Sequence, residues 1–132
     1  MVRSPFSKEV VGKFRQGICH LLALELHRQH DWPLYGVIWQ GKGGIWHVLN
    51  QTETGMYIDV LGAYYEKDSV LNYYPPVCNH PNTFVVEPVE KPRVDLDERM
   101  DLEEPLFESG KEEANQTAKR LSNWFYNKVL EE

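Results

Sequence analysis

Ile18-Cys19-His20-Leu21-Leu22-Ala23-Leu24-Glu25-Leu26-His27-Arg28-Gln29, opened by Gly17, reads as the helix around which the chain folds. Ile18, Leu21, Leu22 and Leu26 recur at helical spacing, and Ala23 and Leu24 widen the stripe. A helix apolar over most of its circumference is normally central and buried. Pro33 bars its extension. Cys19 falls in the first turn, where outward-pointing backbone N–H groups favour negative charge. A thiol placed there is predisposed to ionise.

Upstream, Ser4-Pro5 has the form of an N-cap followed by proline at the first helical position. It predicts a short helix to about Phe14, ended by Gly17. Downstream, Leu34–Gln40, Ile45–Asn50 and Met56–Leu61 predict an antiparallel meander closed by Gly62, with Gly41-Lys42-Gly43-Gly44 as its first turn. Tyr64 to Tyr74 reads as helical, and Thr83–Glu87 as a fourth strand. Ser109 and Glu112 form an S-x-x-E capping box before Ala114, Ala118, Leu121, Phe125 and Val129, so a C-terminal helix is expected over 109–131. The expected fold is α+β. A central N-terminal helix and a long C-terminal helix pack on an antiparallel sheet of about four strands, in one domain spanning 1–132.

The meander carries the most specific expectation. If Asn50 pairs with Met56 across Gln51–Gly55, His47 lies directly opposite Asp59. Cross-strand partners share a face with Cβ atoms about 5 Å apart. A one-residue slip would separate them onto opposite faces. A carboxylate beside that ring would hold one tautomer, as a catalytic base requires.

Composition narrows the function classes. The 132 residues carry a net charge of −6, which argues against general nucleic-acid or anionic-membrane binding. The stretch from Glu87 to Glu108 holds nine acids and three bases, a surplus equal to the whole imbalance. Residues 88–108 are therefore expected to be an acidic irregular segment, able to dock a cationic protein partner through Asp95, Asp97 and Glu98. Two cysteines do not make a disulfide framework. No secretory h-region and no apolar run long enough to span a bilayer are visible, so the expected location is cytoplasmic. Cys19, His20, His27, His30, Cys78 and His80 could ligate metal, but no CxxC pair or HExxH helix occurs, and no metal or cofactor is expected.

Gly17-Ile18-Cys19-His20-Leu21-Leu22-Ala23, Trp46-His47-Val48 and Tyr57-Ile58-Asp59-Val60-Leu61-Gly62 together resemble the compact papain-like cysteine hydrolases, in the style of small bacterial, phage and toxin-type members. The resemblance covers roughly residues 14–62. It implies Cys19 as nucleophile, His47 as base and Asp59 as orienting carboxylate. In that superfamily a polar side chain upstream of the cysteine often completes the oxyanion hole. Gln16 is the available glutamine, closer to the cysteine than is usual. The implied activity is acyl transfer from an amide or thioester (peptidase, deamidase or transglutaminase-like), on a peptide or protein substrate in a cleft beside Cys19. Two other readings stay open. One is a non-catalytic interaction, immunity or adaptor protein that uses the acidic segment; the other is a silent domain of the same fold.

Overall fold

A computed structural model describes residues 1–16, 19–40, 44–73, 84–90 and 104–130, with the backbone alone for 15, 16 and 104–109. The elements in chain order are β1 (Val2–Arg3), α1 (Lys8–Gln16), α2 (Cys19–His30), β2 (Leu34–Trp39), β3 (Ile45–Gln51), β4 (Tyr57–Asp59), β5 (Gly62–Tyr64), a 3₁₀ helix (Lys67–Tyr73), β6 (Phe84–Pro88) and α3 (Glu104–Trp124). A π-helical turn (Phe125–Val129) continues α3. The architecture is α+β, with every strand pair antiparallel.

The sheet has six strands among the described residues, not about four, in the order β1-β5-β4-β3-β2-β6. The two additional strands are too short to show a hydrophobic period. Val2 and Arg3 pair with Ala63 and Gly62. Gly62 therefore opens a strand instead of closing the meander, and β4 stops at Asp59. Tyr64 ends β5, so the expected helix from Tyr64 reduces to the 3₁₀ helix.

Alternation along the strands divides the core. Phe14 of α1, Leu21, Leu22 and Leu26 of α2, and Ala114, Ala118, Leu121 and Phe125 of the C-terminal helix meet Ile58, Val60 and Ala63 on one face. Ala23 joins Leu34, Ile38, Ile45 and Val48 beside them. Val37, Leu49, Tyr64 and Val86 pack with Val70 of the 3₁₀ helix on the other face. Asn50 ties the layers together: its Nδ2 donates to the Ala23 carbonyl at 2.9 Å.

Helix ends differ from expectation where long-range partners win. Ser7 caps α1, its Oγ accepting from Val10 N at 3.3 Å. Ser4 instead holds the turn between β4 and β5, donating through Oγ to Val60 O at 2.6 Å and through N to Leu61 O at 2.9 Å. Asp31 ends α2 in the left-handed region with φ of 57°. Its N–H closes back on His27 O, as a helix C-cap does. Helix α3 begins at Glu104, so Ser109 is interior to it and residues 104–108 of the acidic segment are helical. A proline in the first turn, here Pro105, suits that start. Residues 91–103, including Asp95, Asp97 and Glu98, lie outside the described residues.

Candidate active site

The β3–β4 ladder contains only Asn50↔Ile58 and Gln51↔Tyr57. Asn50 thus faces Ile58, not Met56, because the turn is tighter than expected. Thr52 N donates to Met56 O at 2.7 Å, and Gly55 takes φ of 87° inside the loop. His47 and Asp59 are consequently not directly opposite. A displacement of two residues preserves the face, however, and both lie beyond the last ladder pair. Their side chains bridge the place where β3 and β4 have parted: His47 Nε2 lies 2.9 Å from Asp59 Oδ2.

A bulge re-aims this part of β3. Val37 pairs with His47 but Ile38 pairs with Ile45, leaving Trp46 as the extra residue immediately before the histidine. Bulges bend and twist a strand and are common beside active sites. The apolar run of β3 gives no sign of it.

The Asp59 carboxylate is held on every side. Oδ1 accepts from Leu61 N at 2.9 Å and Gly62 N at 3.3 Å. The Tyr64 hydroxyl lies 3.1 Å from both oxygens. The turn that supplies the two amides is itself fixed by Ser4. Tyr64 and Ser4 escape sequence reading. Both depend on the pairing of short edge strands with no pattern of their own.

Cys19 is the first residue of α2, and its sulfur is close enough to the His47 ring to act on its charge. Because Nε2 is committed to Asp59, Nδ1 is the nitrogen suited to exchange a proton with sulfur. Burial opposes charge on this imidazole, but the Cys19 sulfur and the Asp59 carboxylate outweigh it and raise its pKa to about 9. The three side chains thus form one chain, sulfur to ring to carboxylate. The residues are 2%, 1% and 3% exposed, so the chemistry available is shielded from bulk water.

The remaining predicted site residues divide. Gln16 ends α1, and its side chain lies outside the described residues, as do Cys78 and His80. His27 and His30 serve the end of α2: His27 Nδ1 lies 3.0 Å from Trp32 O, and His30 stacks on the Trp32 ring at 4.5 Å. Trp32 is core, and its Nε1 donates to Glu53 at 2.7 Å. Among the described residues no three His, Cys, Asp or Glu side chains gather as a metal-binding group. No described helix is long and apolar enough to cross a membrane.

No protein-family model matches the chain, and no curated protein or solved structure is significantly similar to it.

Proposed function

We propose that the chain is a cysteine-dependent acyl-transfer enzyme of the papain-like kind, acting on an amide or a thioester. The observation that carries this reading is the buried succession Cys19–His47–Asp59 at the amino end of α2. Individually, a buried cysteine is ordinary core, and a buried His–Asp pair is an ordinary strut. Buried ion pairs are poor stabilisers. Three polar groups in series, with the sulfur in a first helical turn, suit a nucleophile, a base and an orienting group.

In the proposed cycle the Cys19 thiolate adds to the substrate carbonyl carbon. Negative charge gathers on the carbonyl oxygen, which first-turn N–H groups of α2 are suited to receive. The carbon–nitrogen or carbon–sulfur bond breaks, and the His47 imidazolium gives its proton to the departing amine or thiol. A thioester to Cys19 remains. Water or an amine then attacks that thioester, His47 takes the incoming proton, and the sulfur leaves with the thiolate restored. Asp59 keeps the ring oriented throughout.

The test is the ionisation of Cys19, read by ultraviolet thiolate absorption in a Cys78→Ser background so that access does not matter. Thiolate is expected at pH 7 in the parent and absent in His47→Ala. Alkylation by iodoacetamide at pH 7 is expected to fall roughly tenfold in His47→Ala as the thiolate fraction drops toward that of a free thiol. A parent protein without thiolate absorption at neutral pH would refute the enzyme.

A further inference from the structure

Tyr64 is fully buried at the end of β5, and its hydroxyl lies 3.1 Å from each oxygen of Asp59. The carboxylate is anchored without it, because Oδ1 already accepts from Leu61 N and Gly62 N. The ring's surroundings of Val37, Leu49, Val70 and Val86 would suit a phenylalanine equally well. What the hydroxyl adds is a second donor on Oδ2, the oxygen that faces His47 Nε2 at 2.9 Å.

Two donors on one oxygen compete. Hydrogen bonds to a carboxylate favour its charged form, and each weakens the oxygen's hold on the other's proton. The setting magnifies this. With the sulfur ionised, Cys19, His47 and Asp59 carry one negative charge in excess, on residues no more than 3% exposed. Surplus charge in such a place is costly unless donors spread it. Without the phenol, the carboxylate would pull harder on the imidazolium, and an imidazolium held that firmly is a poor acid. Acyl transfer needs that acid when Nδ1 gives its proton to the departing amine or thiol. The ring is then left neutral, with Nε2–H still donating to Asp59.

We infer that Tyr64 is a positioning residue of the candidate site: by donating to the oxygen that also holds His47, it eases release of the imidazolium proton to the leaving group. This role rests on the proposed Cys19 chemistry and deepens it. The phenol keeps its own proton and acts only through Asp59. The titratable groups around it are Asp59 of β4, His47 of β3, Cys19 of α2 and Tyr73 of the 3₁₀ helix, whose ring lies 5.7 Å from that of Tyr64.

The test is an NMR titration of the His47 ring protons in the full chain. The parent ring is expected to lose its proton at about 9. Tyr64→Phe is expected to raise that midpoint by about 0.5–1 pH unit, a roughly three- to tenfold tighter hold on the proton. A ring-fluorinated tyrosine incorporated at position 64 is a more acidic phenol and a stronger donor, and is expected to lower the midpoint. A purely structural role gives the opposite sign for Tyr64→Phe: a loosened Asp59 leaves the ring, and the midpoint falls toward 6.5. That fall, or an unmoved midpoint, overturns the role. Should Tyr64→Phe not stay folded, the fluorinated protein decides alone, and a midpoint that is unmoved or raised in it overturns the role. Thiolate absorption of the parent at pH 7 is read separately. Its absence defeats the Cys19 chemistry, and the role of Tyr64 with it, whatever the titration of His47 shows.

Discussion

Asp59 is the residue on which the site's order depends, because it accepts from a ring, a hydroxyl and two amides at once. Removing its charge withdraws one of the two influences that hold His47 protonated. In Asp59→Asn the His47 pKa is expected to fall from about 9, followed by NMR titration of the ring protons; an unmoved value would show that Cys19 alone sustains the charge. Tyr64→Phe keeps the ring packing and deletes one donor to the carboxylate. It is expected to cost about 1.5–3 kcal/mol, as a hydrogen bond to a charged group does, measured by urea unfolding. The His47–Asp59 pairing was legible in the sequence because side-chain parity survives a two-residue error in register. Tyr64 was not legible, because its hydroxyl reaches Asp59 only through a turn and a strand that no local pattern announces.

Among the elements, α2 was readable almost to the residue, since an all-round apolar stripe has few alternatives to burial. Leu26 is fully buried there, in one cluster with Leu121 and Phe125. Leu26→Ala is expected to destabilise by about 2–5 kcal/mol in chemical denaturation, with a smaller cost meaning that α2 and the C-terminal helix close over the space. The strands were less readable. β4 and β5 have three residues each, and their pairing turns on Gly62, whose φ of 155° is reserved for glycine. A Cβ there would collide with the Val2 carbonyl oxygen. Gly62→Ala should therefore break the β1–β5 pairing and loosen the amide that Asp59 accepts, at a cost of at least about 1–3 kcal/mol. Loss of protection at the Gly62 amide by hydrogen exchange is the local sign. Ser4 shows why such contacts escape a local reading. Beside Pro5 it has the form of a helix cap, yet the carbonyl that its hydroxyl reaches, on Val60, lies 56 residues away.

For the whole molecule, the buried triad ties stability to pH. The folded His47 pKa, about 9, stands above its ordinary value of 6.5. Its contribution to stability is thus complete below about 6.5 and is lost as pH rises through 9, because the folded state binds the proton more tightly than the unfolded one. Below about pH 8.5 the proton that Cys19 gives up on folding offsets the one that His47 takes up, so thermal midpoints should decline from about pH 8.5 to 10, and His47→Gln should remove the His47-dependent part of the decline. A parent midpoint that rose toward pH 10 would contradict the raised value. The sheet's first strand has a practical bearing as well. Val2, Arg3 and Ser4 lie against the turn that presents the Asp59 amides. A purification tag fused ahead of Met1 would emerge beside this anchorage, so protein for thiol assays is better tagged at its other end.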